Sequence, residues 1–185
     1  MAHDPSLRRT SKFLSLVLRH RPELIGLTLD AQGWAEVDDL LTRLAAHGHP
    51  LDRATLVEVV ATNDKQRFRL NPEQTRIRAN QGHSIAVELG YEAKPPPAFL
   101  YHGTGQGAVA SIWREGLRKQ QRHHVHLSSD VATARQVGQR HGPPYLFRVR
   151  AAEMARAGYP FFLSDNGVWL TEVVPVVYLE AFGEE

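Results

Sequence analysis

Arg19, His20 and Arg21 put three potentially cationic side chains in a row, behind the apolar run Phe13-Leu14-Ser15-Leu16-Val17-Leu18 and ahead of Pro22. At about 100° per residue in an α-helix, His20 falls on the arc of Phe13, Leu16 and Val17 and is expected to point inward. Arg19 projects on the other side with Lys12 and Ser15. A histidine on an apolar face between two arginines calls for an anion. Phosphate suits it, because its charge and oxygens match the forked donors of arginine. The same row also has a plain structural account: cations at a helix C-terminus complement the helix dipole, and Pro22 stops the helix.

Other residue types narrow the chemistry. The 185-residue chain holds ten histidines and no cysteine, so disulfides, thiolate nucleophiles and Cys-ligated zinc are excluded. His123, His124 and His126 lie on one extended segment without a helical HExxH partner, so no metal is expected. Ser128, Ser129 and Asp130 lack the Gly-x-Ser-x-Gly elbow of a hydrolase, and Ser129 or Asp130 is accounted for as a helix cap. Neither a Gly-x-Gly-x-x-Gly turn nor a Gly-Lys-Thr phosphate loop occurs.

The 22 basic residues divide into 18 Arg and 4 Lys, with a net charge of +2. Residues 1–80 carry 12 basic against 10 acidic side chains, and residues 81–185 carry 10 against 10. Contact with a nucleic acid is therefore expected at a local site rather than over a broad basic surface. The opening residues Met1 to Ser6 lack an apolar secretory core, and no run approaches the ~18 apolar residues of a membrane span. A cytoplasmic protein without a membrane is the expectation.

The elements that must position these groups fall into two halves, 1–90 and 98–185, on either side of a Pro-rich linker at 91–97. In the first half a helix over 5–21 precedes a short extended pair, 27–29 with 34–36. Helices follow at 38–47 and from an Asp52 cap to about 62. The alternating segments Arg67-Phe68-Arg69-Leu70 and Arg76-Ile77-Arg78-Ala79 predict a hairpin, with Arg67, Arg69, Arg76 and Arg78 on one face. Those four cations repel unless solvated or matched to phosphates. Helices ending in a two-stranded hairpin are the order of a winged helix.

The second half opens on the strand Phe99-Leu100-Tyr101-His102-Gly103-Thr104. A helix at 106–115, a strand at 122–128, a helix reaching Arg140, a strand at 145–150, a short helix at 151–157 and extended segments at 159–163, 168–171 and 173–182 complete a mixed sheet. The fold class is thus α+β. His102 and His126, on neighbouring strands, are expected to line one cleft.

Seven strings in order resemble the NAD-dependent RNA 2′-phosphotransferase family, also called tRNA 2′-phosphotransferases. They are Ser11 to His20, Gly33-Trp34, Asp64-Lys65-Gln66-Arg67-Phe68, Ile77 to Ser84, Tyr101-His102-Gly103-Thr104, Val125-His126-Leu127-Ser128 and Gly167-Val168-Trp169-Leu170-Thr171. The resemblance implies a winged-helix-like N-terminal lobe and a C-terminal lobe of the ADP-ribosyltransferase fold. It implies removal of an internal RNA 2′-phosphate, as at a tRNA splice junction, with NAD as co-substrate and no metal. The products would be 2′-hydroxyl RNA, nicotinamide and ADP-ribose 1″,2″-cyclic phosphate, through an ADP-ribosylated RNA phosphate.

On the same ground Arg19, His20, Arg67 and Arg122 correspond to the catalytic set. His102, Gly103, Thr104, His126 and Ser128 correspond to the cofactor-binding set, and Lys65, Arg69, Asn80, Gln81 and His83 are expected to bind RNA. The expected partner is an RNA with an internal 2′-phosphate, and no obligate protein partner is expected. Two other activities use the same residues: ADP-ribosyl transfer to protein or to terminal nucleic-acid phosphates, and non-enzymatic nucleic-acid binding by the first half.

Overall fold

The computed structural model describes residues 5–63 and 65–183, and Asp64 of the third string lies outside them. The chain is mixed α+β, with six α-helices and small antiparallel sheets among the described residues. It divides into two compact units, Met1–Gly90 and Tyr91–Glu185.

The first unit is built on α1 (Pro5–Arg19), whose apolar spacing buries Leu14, Val17 and Leu18 completely. Each such side chain contributes about 1.5–3 kcal/mol relative to exposure. Strand β1 (Trp34–Glu36) runs into α2 (Val37–Ala46), and α3 (Arg53–Ala61) starts from Asp52, whose carboxylate accepts the Thr55 N–H at 2.7 Å. That bond holds the Asp52 carboxyl below its usual pKa. Strands β2 (Phe68–Leu70) and β3 (Arg76–Ala79) form the expected hairpin.

The extended pairing of 27–29 with 34–36 does not form. Strand β1 instead adds antiparallel to β3, with Trp34 opposite Arg78, giving a three-stranded sheet of order β1-β3-β2. Asp30 is the reason: its carboxylate accepts the N–H groups of Gln32 and Trp34, and its carbonyl accepts that of Gly33. These bonds fold residues 30–34 into a tight turn, and the pairing edge of β1 is left to β3.

The second unit starts with residues 91–97, which are attached to it: Lys94 N–H donates to the Phe161 carbonyl at 2.8 Å. Strand β4 (Leu100–Gly105) leads to α4 (Val109–Glu115), β5 (Leu117–Arg118) and β6 (Val125–Leu127). Helix α5 (Val131–Gly138), capped by Asp130, precedes β7 (Pro144–Val149) and α6 (Ala151–Arg156). Strands β8 (Phe162–Leu163), β9 (Trp169–Thr171), β10 (Val173–Val174) and β11 (Leu179–Ala181) close the unit.

These strands form antiparallel sheets of order β11-β7-β4 and β6-β9-β8 and the pair β10-β5. Segment 173–182 is not one strand, because Pro175 cannot donate to a ladder and a 3-10 turn over Val176–Tyr178 separates β10 from β11. A reciprocal pair of backbone bonds at 2.8 Å between Tyr101 and Ser128 fastens the end of β6 to β4. Among the described residues no helix is long and apolar enough to cross a membrane.

Candidate active site

The last residue of α1 and the first residues of the hairpin come together in the first unit. Arg19 Nη2 donates to the Arg67 carbonyl at 3.1 Å, and its guanidinium lies 5.9 Å from the Phe68 ring centre. The Asn80 N–H donates to the same carbonyl at 2.9 Å, and Asn80 Nδ2 donates to the Gln66 carbonyl at 2.6 Å. Arg67 Nη1 donates to Asn63 Oδ1 at 3.3 Å, while Asn63 Nδ2 donates to Ser11 Oγ of α1 at 2.8 Å. Two guanidiniums 48 residues apart in sequence are thus held in one network despite their like charge.

His20 departs from its expected direction. It is exposed, because α1 ends at Arg19 and the backbone turns there, with the N–H groups of His20 and Arg21 both donating to the Leu16 carbonyl. A residue beyond the helix end no longer follows the 100° rule. His20 Nδ1 lies 3.0 Å from Ser84 Oγ, and the Ser84 N–H donates to the Arg19 carbonyl at 2.9 Å. The 80–84 segment therefore ties the end of α1 to the hairpin.

The arginine face of the hairpin is not bare. Trp34 of β1 lies within it, with Arg69, Arg76 and Arg78 at 5.1, 5.4 and 5.0 Å from its ring centre. Arg76 also pairs with Asp30 and Glu36, and Arg78, only 6% exposed, donates to the Gln32 carbonyl at 3.4 Å. Stacking of this kind contributes about 0.5–2 kcal/mol per cation. The pattern missed this because Trp34 reaches the face only through the β1–β3 pairing. Arg67 precedes β2 and belongs to the Arg19 network.

The five residues expected to bind RNA divide by depth. Lys65 and Arg69 are half-buried and reach the surface. Gln81 is also half-buried, with its Oε1 enclosed and unpaired. Asn80 and His83 are 4% and 1% exposed, so both are interior groups, and His83 packs beneath the turn at Gly33. Ser11, Asn63 and Ser84 are the positioning groups that spacing alone did not single out. Ser84 and Ser11 sat inside the quoted strings, whereas Asn63 carried no signal.

The second unit gathers His102, Arg122, His126 and Ser128. His102 Nδ1 lies 3.1 Å from the His126 carbonyl, which only accepts, so Nδ1 carries the proton and Nε2 is left as an acceptor in the neutral ring. Arg122 Nη1 donates to His126 Nδ1 at 3.0 Å. A guanidinium cannot accept, so His126 is neutral with its proton on Nε2. Burial lowers the Arg122 pKa, and the like charge of Arg140 adds to this. The 122–128 strand is shorter than expected, and Arg122 lies in the turn before β6, its N–H on the Lys119 carbonyl.

Gly103 faces α5 so closely that an added Cβ would lie 1.7 Å from the Ala134 carbonyl oxygen. Gly138 repeats the approach from the helix side, where an added Cβ would lie 3.0 Å from the backbone of Thr104. Thr104 thereby sits where β4 and α5 nearly touch. Among the described residues no group of three or more His, Asp or Glu side chains is arranged to hold a metal ion.

Burial pushes the His102 pKa down against the opposing bond to the His126 backbone, and Arg122 pushes it further. As pH falls through the unfolded value of about 6.5, the unfolded chain takes the proton first, so stability present above that pH is lost below it. Burial lowers His124 as well, which acts in the same direction. His102→Asn keeps a donor for the His126 carbonyl and removes the titration. We expect the difference in Tm between pH 7.5 and 5.5 to shrink in this variant but not vanish, measured by calorimetry.

The chain is similar to known proteins over most of its length. A family model described as RNA 2′-phosphotransferase, Tpt1 / KptA family, matches residues 5–173. A protein of Trichormus variabilis named as a probable RNA 2′-phosphotransferase is 53% identical over 171 residues, covering 92% of this chain and 94% of its own. One of Agrobacterium fabrum with the same name is 56% identical over 170 residues, covering 92% and 91%. One of Escherichia coli O6:K15:H31, again so named, is 51% identical over 179 residues, covering 96% and 97%.

Proposed function

The chain belongs to the RNA 2′-phosphotransferase, Tpt1 / KptA family, and from that premise we propose that it transfers an internal RNA 2′-phosphate to NAD. The first unit is read as a winged-helix-like lobe for the RNA phosphate, and the second as an ADP-ribosyltransferase-like lobe for NAD. A phosphate oxygen attacks C1″ of the nicotinamide ribose, and the bond to nicotinamide breaks. The ribose O2″ then attacks the phosphorus, and the bond to the RNA 2′-oxygen breaks. The products are 2′-hydroxyl RNA, nicotinamide and ADP-ribose 1″,2″-cyclic phosphate.

The observation that carries this reading is the joint fixing of Arg19 and Arg67 beside an exposed His20. Guanidiniums held in place before substrate arrives stabilise a phosphoryl group without reorganising. Positioning is most of what such a reaction needs, because a phosphate is already a nucleophile. Lys65 and Arg69 reach the surface beside this network and suit the flanking RNA backbone. Asn80, Gln81 and His83 act by shaping the network.

The donor set of the second unit fits a dinucleotide. Arg122 is a cation suited to its phosphates, while His102, Thr104, His126 and Ser128 supply neutral polar groups around a Gly103 that admits no side chain. No residue in either set calls for a metal.

The test is incubation with NAD and an RNA bearing one internal 2′-phosphate. We expect release of nicotinamide and formation of 2′-hydroxyl RNA, with a cyclic phosphate product by mass spectrometry. A stable ADP-ribosyl adduct without a cyclic product assigns the chain to ADP-ribosyl transfer instead. Nucleic-acid binding with no consumption of NAD leaves only a binding role.

A further inference from the structure

Along α1, reaching in as far as the buried Leu14 and Leu44, lies a groove of about 430 Å³ that the reaction above does not use. Phe13, Leu16 and Leu51 belong to its apolar lining, and Arg9 and Lys12 stand among the residues that line it. Phe13 stacks on His49, ring centres 3.8 Å apart and planes 24° from parallel. Among the described residues no carboxylate lines it. An apolar slot with a stacked ring pair and two cations matches a flat, weakly polar group attached to a phosphate.

The position of the groove favours one such group. Arg9, Lys12, Phe13 and Leu16 recur at intervals of three and four along α1, and Arg19, its last residue, lies on the same side as Lys12, so the cations of the groove and the phosphate-clamp end of α1 lie in one row. From Lys12 to Arg19 is seven residues, about 10 Å along the axis. At about 3.4 Å per stacked nucleotide that distance is roughly three nucleotides.

We propose that the groove between α1 and the His49–Leu51 segment is a second RNA subsite. It takes one unpaired base a few nucleotides from the 2′-phosphate, stacked on the Phe13–His49 pair, with Arg9 and Lys12 on its phosphates. This rests on the reading of the chain as an enzyme acting on RNA. Substrate recognition then extends beyond the phosphorylated nucleotide to single-stranded RNA beside it.

The experiment compares two RNAs carrying one internal 2′-phosphate, a dinucleotide and a strand with five unpaired nucleotides on either side. The wild-type enzyme is expected to have the higher kcat/KM on the long strand. Lys12→Glu and Phe13→Ala are each expected to reduce the long-to-short ratio by about tenfold or more. Lys12 is exposed, so Lys12→Glu decides the matter if Phe13→Ala disturbs α1.

In parallel, an unphosphorylated strand carrying 2-aminopurine is titrated. Quenching by the wild type that is lost in Lys12→Glu supports the subsite even if neither RNA is turned over. That combination separates this proposal from the function assigned above. Equal kcat/KM of the wild type on both RNAs overturns it, as do equal losses on both in the variants. A wild-type dimer that Lys12→Glu splits, seen by sedimentation, overturns it too, because the groove is then covered by a second copy.

Discussion

Arg67→Ala is expected to lower kcat/KM for 2′-phosphate removal by about 10²- to 10³-fold, the usual cost of deleting one preorganised charge at a phosphoryl centre. Its Tm should stay near that of the wild type, because the backbone carbonyl of residue 67, which the substitution keeps, carries the bonds to Arg19 and Asn80. Arg19→Ala should lose a similar factor for two reasons. It removes a cation, and it also frees the carbonyl that holds Arg67 in place.

The two losses are therefore coupled. The double variant should fall well short of the product of the single losses, as side chains in one network do. Kinetics on the four proteins with NAD saturating, alongside thermal denaturation, measures this. A wild-type kcat/KM in Arg67→Ala, or strict multiplication of the two losses, removes the clamp from the mechanism.

Gly103→Ala is expected to be the most damaging small substitution in the second unit. The added methyl would lie 1.7 Å from the Ala134 carbonyl oxygen, a backbone atom that cannot rotate away. Either α5 lifts from β4 or the strand distorts, and overpacking of this kind costs about 3 kcal/mol or more. The Tm should drop by roughly 10 °C, or the protein should fail to accumulate folded. Gly107→Ala, with nothing near its added methyl, is the control and should melt like the wild type. A wild-type Tm for Gly103→Ala would mean that α5 does not pack on β4 as described.

Gly103 shows how the sequence can be right about a residue and silent about one of its reasons. The string Tyr101-His102-Gly103-Thr104 marks it as belonging to a cofactor site. The clash with Ala134 shows that glycine is also required for packing, which involves a helix some 30 residues away. No local pattern contains that information. The hairpin arginines are a similar case. Alternation correctly put Arg69, Arg76 and Arg78 on one face, but that face became stable through Trp34, brought across by an unexpected pairing of β1 with β3.

Local rules worked where the physics is local. The Asp52 and Asp130 caps, the apolar stripe of α1, the two hairpin strands and the α+β class all follow from interactions within a few residues. Helical periodicity misdirected His20 because it applies only inside a helix, and α1 stops one residue earlier.

What the sequence determined by itself is therefore the set of chemical groups, the elements that carry them and, through seven ordered strings, the family. Tertiary structure decided which groups meet. The Arg19 guanidinium on the Arg67 carbonyl, Arg122 on His126 and Ser84 beside His20 each join residues through bonds whose geometry depends on how elements pack. Tautomers, exposure and fixed orientation depend on those bonds. They arise only when the backbone has closed on itself, because a hydrogen bond requires a position in space that spacing along the chain does not specify.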